Sequence, residues 1–120
     1  MNFTEAVRSG FQNYANFNGR AQRSAFWYWV LFSAVVGTVL TLVDSAMFDE
    51  GTPVLSGLFS LATIIPNLAV GARRLHDTDR SGWWQLIVFI PLIGIIVLIV
   101  WMASRGKPGP NRFGENPLGE

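Results

Sequence analysis

Charged side chains fall in clusters along this chain, and the stretches between the clusters are apolar. Between Arg23 and Asp44 lie 20 residues without a charge, between Glu50 and Arg73 lie 22, and between Arg80 and Arg105 lie 24. As α-helices these runs reach about 30, 33 and 36 Å, each enough to cross a hydrocarbon core about 30 Å thick. The pattern predicts three transmembrane helices, at 24–43, 54–72 and 83–103. Three core helices of a soluble domain would need more chain around them than is left over. The first run is not expected to act as a signal peptide, because it leads into Asp44 without a small-residue cleavage pattern. Ahead of it, Phe3, Val7, Phe11 and Tyr14 recur on one helical face. Asn2 and Glu5 stand as a capping pair, and Asn18-Gly19 breaks the run. The expectation is a single all-α membrane domain in which a short amphipathic interfacial helix within 1–23 precedes the three spans. The tail 104–120, rich in Pro and Gly, should lack regular structure.

All five tryptophans fall near ends of the expected spans: Trp27, Trp29, Trp83, Trp84 and Trp101. Indole rings favour the headgroup level. Orientation follows from the basic residues. Arg8, Arg20 and Arg23 precede the first span, the 44–53 loop has none, Arg73, Arg74 and Arg80 follow the second, and Arg105, Lys107 and Arg112 lie in the tail. An N-terminus inside is therefore favoured. Three straight spans put the tail outside, against the basic-residue rule. Pro91 and Gly94 interrupt the third run, so a re-entrant hairpin that returns the tail inside is the alternative. The straight span is preferred here, because broken backbone at membrane depth needs protein around it. It separates Asn111 and Arg112 from His76 and Asp77 by the width of the bilayer.

Composition supports the membrane reading: 50% of the 120 residues are hydrophobic and only 14% charged. A formal net charge of +1 gives no bulk electrostatic reason to expect nucleic acid. With no cysteine and one histidine, an ordinary transition-metal site is not expected, and no cofactor is implied. Asp77-x-Asp79-x-Ser81-Gly82 imitates an EF-hand opening, but Val88 stands where the bidentate Glu belongs. His76, Asp77 and Ser81 have the residue types of a hydrolytic triad without a nucleophile elbow, so no catalytic residue is assigned. The sequon Asn2-Phe3-Thr4 falls on the expected inside face.

Two readings of the loop from Arg73 to Arg80 stay open. In one, Asp77 or Asp79 pairs with a neighbouring arginine and caps a helix end. In the other, Arg73, Arg74 and Arg80 bind an anionic headgroup or phosphate. Within the membrane, Ser33, Gly37 and Thr41 form a small-residue ridge on the first helix, and Ser56, Ser60, Thr63 and Asn67 share a face of the second. These faces are expected to pack together. A polar transport path ranks lower, since no ionisable residue lies at mid-membrane.

Several motifs occur in order: Phe17-Asn18-Gly19-Arg20-Ala21 with Arg23, Phe26-Trp27, Arg73-Arg74-Leu75-His76-Asp77, Arg80-Ser81-Gly82-Trp83-Trp84, and Gly109-Pro110-Asn111-Arg112-Phe113-Gly114 with Asn116-Pro117. Together they resemble the bacterial "domain of unknown function 805" family of small inner-membrane proteins. Asp79 stands where that family usually has glycine, and Phe113 where tyrosine is common. The resemblance implies a multi-span inner-membrane protein and no particular reaction. It singles out Arg20, Arg23, Arg73, Arg74, His76, Asp77, Arg80, Asn111 and Arg112 as candidate ligand-binding residues. The expected role is a non-enzymatic interaction or assembly subunit, its partners being membrane lipids and a second copy or another membrane protein. An anionic-lipid or phosphate binder is the alternative, and a small transporter component ranks below both.

Overall fold

The computed structural model describes residues 1–119; Glu120, the end of the expected tail, lies outside the described residues. The order is α1 (Phe3–Gln12), α2 (Arg23–Met47), a 3-10 turn (Asp49–Gly51), α3 (Val54–Asp77), a 3-10 helix (Gly82–Phe89) and α4 (Ile93–Ala103). Among the described residues the only β feature is an isolated bridge between Asn111 and Gly114.

α2 and α3 form an antiparallel hairpin fixed at three levels. At the loop end, the Asp44 carboxylate accepts from the Leu55 and Ser56 N–H groups, each at 2.9 Å, and from the Ser56 hydroxyl at 2.7 Å. These are α3's first backbone donors, which have no partner inside the helix. Pro53, the residue before α3, offers no side-chain cap of its own. Midway, the Trp29 indole N–H donates to Asn67 Oδ1 at 2.7 Å. At the far end the Ala21 N–H donates to the Arg73 carbonyl at 2.9 Å. Asp44→Ala should cost about 1–2 kcal/mol through loss of the cap. Unfolding of the two proteins in bicelles would measure this, and equal stability would contradict the capping role.

Pro66 is buried inside α3. Having no N–H, it leaves the Ala62 carbonyl without its helical donor. The Tyr14 hydroxyl donates to that carbonyl, so the chain before α2 repairs the fault that proline makes in α3. α1 itself carries the expected capping box, with Glu5 N–H to Asn2 Oδ1 at 2.8 Å and Asn2 N–H to Glu5 Oε1 at 3.1 Å. Its aromatic face lies on α2, with Phe3 6.0 Å from Tyr28 and Phe11 5.2 Å from Trp29, centroid to centroid. Gly10 allows this approach, since a Cβ there would overlap the Trp29 ring.

The two long helices keep their apolar surfaces uncovered. In the most apolar 18-residue stretch of α2 only 6% is buried, a value foreign to a soluble protein's core helix. Leu31, Val35, Val39 and Leu42 recur along one α2 face at 49–66% exposure.

The third apolar run is not the continuous helix 83–103 expected from its length. It is a hairpin whose first arm is the 3-10 helix and whose second arm is α4. The Trp84 and Trp101 rings meet edge to face at 5.6 Å, so the beginning and end of the run are neighbours. Eight residues at about 2.0 Å rise and eleven at about 1.5 Å both give about 16 Å, so the arms match in reach at half a bilayer core. The chain reverses at Ile90-Pro91-Leu92, where Leu92 takes a φ of 63°. The objection to broken backbone is met locally. Pro91 has no N–H to satisfy, Ile90 donates to the Ile87 carbonyl at 2.9 Å, and Ile93 to the Pro91 carbonyl at 2.7 Å.

Candidate functional site

α3 ends in Arg73-Arg74-Leu75-His76-Asp77, and all five residues are buried. Its last carbonyls have no helical partner, and neither do those of α4. Both ends meet at one polar centre, into which the segment before α2 and the tail each contribute.

Asp77 is the anionic hub. Its carboxylate accepts from Arg20 Nε at 2.9 Å and from Arg74 Nη1 at 2.5 Å, and the three side chains are 1%, 0% and 4% exposed for Arg20, Arg74 and Asp77. Arg20 also donates to the carbonyls of Asp77 (3.1 Å), Lys107 (2.6 Å), Gly109 (2.8 Å) and Gly114 (3.3 Å). Its five N–H donors are thus all engaged. Arg74 donates to Met102 O at 2.8 Å, Ala21 O at 3.0 Å and Ser104 O. Trp27 and Arg23 reach the same helix end, at Met102 O (3.2 Å) and Ala103 O (3.5 Å). Guanidinium groups at helix C-termini also answer the negative end of the dipole. Gly106 passes so close to the Asp77 carboxylate that a Cβ would overlap it.

The tail closes over this centre. Asn111 Nδ2 donates to the His76 carbonyl at 2.9 Å, and the Phe113 ring stacks on the His76 imidazole at 3.9 Å with 3° between planes. Stacking uses the ring face, so a tyrosine hydroxyl at 113 is not needed for it. Arg112 donates to the Asp79 carbonyl at 3.1 Å and pairs with its carboxylate at 3.4 Å, while Lys107 pairs with it at 3.3 Å. Asp79 has φ 61°, a backbone region natural to glycine and tolerated by aspartate. The expectation that Asn111 and Arg112 lie across the bilayer from His76 and Asp77 is therefore overturned. The hairpin brings them to the same end.

The remaining candidates are distributed differently. Arg80 lies over the Trp101 ring at 4.4 Å. Arg73 is 6% exposed, and its buried Nε has no hydrogen-bond partner among the described residues. Thr63 is buried and donates to Phe59 O at 2.8 Å, Ser60 is exposed, and Ser33 Oγ is buried without a partner among the described residues. Thr41 donates to Gly37 O at 2.8 Å, and a Cβ on Gly37 would meet nothing within 4 Å. Sequence reasoning noted Asp44 as a loop charge, Tyr14 as one of a helix face and Gly94 as a break in the third run, but not the contacts they make, since these are largely with backbone groups. Among the described residues no cluster of three His, Cys, Asp or Glu could hold a metal ion.

His76 lies beyond the apolar stretch of α3. Burial lowers its pKa most, the bond to the Gly19 carbonyl raises it, and Arg112 lowers it further. The net shift is below the ordinary value near 6.5, so the imidazole stays neutral at pH 7. Such a group's stabilisation is complete above its unfolded pKa and is lost as pH falls through the folded one. Thermal unfolding in detergent should therefore show a stability loss below about pH 6.5, and a His76→Gln variant should lack that component.

Uncovered apolar helices joined by a buried polar clamp at one end define a small helical integral membrane protein. The chain belongs to the family described as "Protein of unknown function (DUF805)", whose model matches residues 14–115. It is 45% identical over 106 residues to inner membrane protein YhaI of Escherichia coli K12, covering 88% of this chain and 89% of that one. To inner membrane protein YhaH of the same strain it is 40% identical over 109 residues, covering 88% and 90%. The uncharacterized protein YiiR of that strain is 28% identical over 128 residues, covering 84% and 85%. No solved structure matches the chain.

Proposed function

We propose that this chain is an inner-membrane interaction or assembly subunit, without catalytic activity, that crosses the bilayer twice and dips into it a third time. In this arrangement α2 and α3 span, the 82–103 hairpin enters and leaves from one side, and α1 lies at the interface on that side. All nine Lys and Arg residues then face the cytoplasm, while Asp44, Asp49 and Glu50 lie at the other end. The observation that carries the reading is the clamp. Arg20, Arg74 and Asp77 are engaged with the chain itself, while the exposed apolar α2 face is available to lipid or to another helix. The chain has no cysteine, so single cysteines at Val35, Val39 and Leu42 can be crosslinked in native membranes. A trapped second copy or membrane-protein partner is expected, and clean monomer at all three positions would refute the interaction role.

Arg73 favours a second reading. Its buried Nε has no hydrogen-bond partner among the described residues, and Arg80, Arg105 and Lys107, with Asp79, line a separate open cavity of about 520 Å³. Guanidinium groups bind phosphate in bidentate fashion. On this reading, native mass spectrometry in mixed lipids should show anionic lipid retained by the parent and lost from Arg73→Gln. Equal retention would remove it.

A further inference from the structure

Between α3 and the 3-10 helix lies a cavity of about 460 Å³ that the clamp does not use. Ligand sites commonly span about 300–1,000 Å³. The walls are mainly apolar, from Phe17, Leu68, Ala72, Trp83 and Leu86. Trp83 is 79% and Leu86 54% exposed, so the cavity is flanked by uncovered apolar side chains.

Three polar side chains reach the wall: His76, Ser81 and Gln85. Gln85 donates to the Leu68 carbonyl at 3.1 Å, and Ser81 Oγ accepts from the Trp83 N–H at 3.3 Å. His76 has one acceptor without a donor. Its Nδ1 lies 2.9 Å from the Gly19 carbonyl oxygen, which can only accept, so the proton sits on Nδ1. Nε2 then carries a lone pair, and nothing among the described residues donates to it. This nitrogen faces Gly82, a wall residue, and would stand 3.7 Å from a Cβ placed there. The residue is 8% exposed and its ring is held by Phe113, so Nε2 is kept beside the cavity wall.

We propose that the cavity binds an apolar molecule from the bilayer bearing one hydroxyl, and that this hydroxyl donates to His76 Nε2. The apolar walls reject a charged head. A ketone or ether would bring a second acceptor to an acceptor and leave both unpaired. A phenol and an aliphatic alcohol share the required chemistry.

The full chain in nanodiscs, titrated with dodecylphenol and with dodecanol, tests this. Because the protein has a single histidine, nitrogen-15 labelling gives one Nε2 resonance to follow. Saturable binding with an upfield Nε2 shift is expected. The methyl ether of each probe should bind about tenfold more weakly. Leu86→Trp, which fills the mouth without touching the clamp, should abolish binding while the Nδ1 signal stays in place. Tighter binding of the phenol would assign an aromatic alcohol, and tighter binding of dodecanol a fatty alcohol. Ethers binding as well as alcohols, or an unmoved Nε2, would overturn the proposal.

Discussion

Asp77→Asn is expected to remove about 3–5 kcal/mol of stability, because it strands two buried guanidinium groups at once. Arg20 and Arg74 are 1% and 0% exposed at the side chain, and Asp77 is the carboxylate both of them meet. Asparagine keeps the volume and can still accept one hydrogen bond, so the loss is one of charge. The consequence should be local before it is global. The tail carbonyls of Lys107, Gly109 and Gly114 are gathered by Arg20, and Arg20 without its counter-charge has reason to turn to solvent. Limited trypsin digestion in bicelles should cleave Asp77→Asn after Arg105 or Arg112 well before the parent. Asp79→Asn removes exposed pairs, with Lys107 52% and Arg112 61% exposed at the side chain, and should do much less. Equal behaviour of the two variants would mean that the buried centre does not hold the tail.

Gly94→Ala should open the hairpin. A Cβ at that position would overlap the Ile87 carbonyl oxygen and stand 3.0 Å from Ile90 Cβ. The first of these is backbone, which has no rotamer to give, so the arms must part. Overpacking of this kind costs about 1–3 kcal/mol, and the Trp84–Trp101 contact and the Arg80 stack on Trp101 would go with it. Gly37→Ala is the matched control, since nothing lies within 4 Å of its would-be Cβ. There the helix propensity of alanine should give a gain of up to about 1 kcal/mol. Reversible unfolding of both variants reads the contrast, and a common sign would contradict the close packing of the two arms.

The two long helices were legible in the sequence because crossing a membrane requires a long charge-free run, and Arg23, Asp44, Glu50 and Arg73 mark their ends. The third run passed the same test and failed to be one helix. Length cannot distinguish one full crossing from two half-crossings. Pro91 and Gly94 were visible signals, but their meaning depended on whether the turn could satisfy its own donors. The carbonyls of Ile87 and Pro91 do this, and no side chain announces it. The polar centre was legible as a set of residue types through Arg20, Arg74, His76, Asp77 and Asn111. What they bind was not, because most of their partners are backbone carbonyls that any sequence would supply. Asp44 was hidden for the same reason: it read as a loop charge, and its partners include two backbone N–H groups of the following helix.

The central claim is that the 82–103 segment turns back, so that the tail and the end of α3 share one face. A reporter that fluoresces only in the cytoplasm, fused after Glu120, tests it most directly, alongside the same reporter inserted in the 49–52 loop. Bright tail fusions and dark loop insertions are the predicted result. A dark tail fusion, made at full length and inserted in the membrane, would mean that the segment crosses the bilayer and would contradict the account.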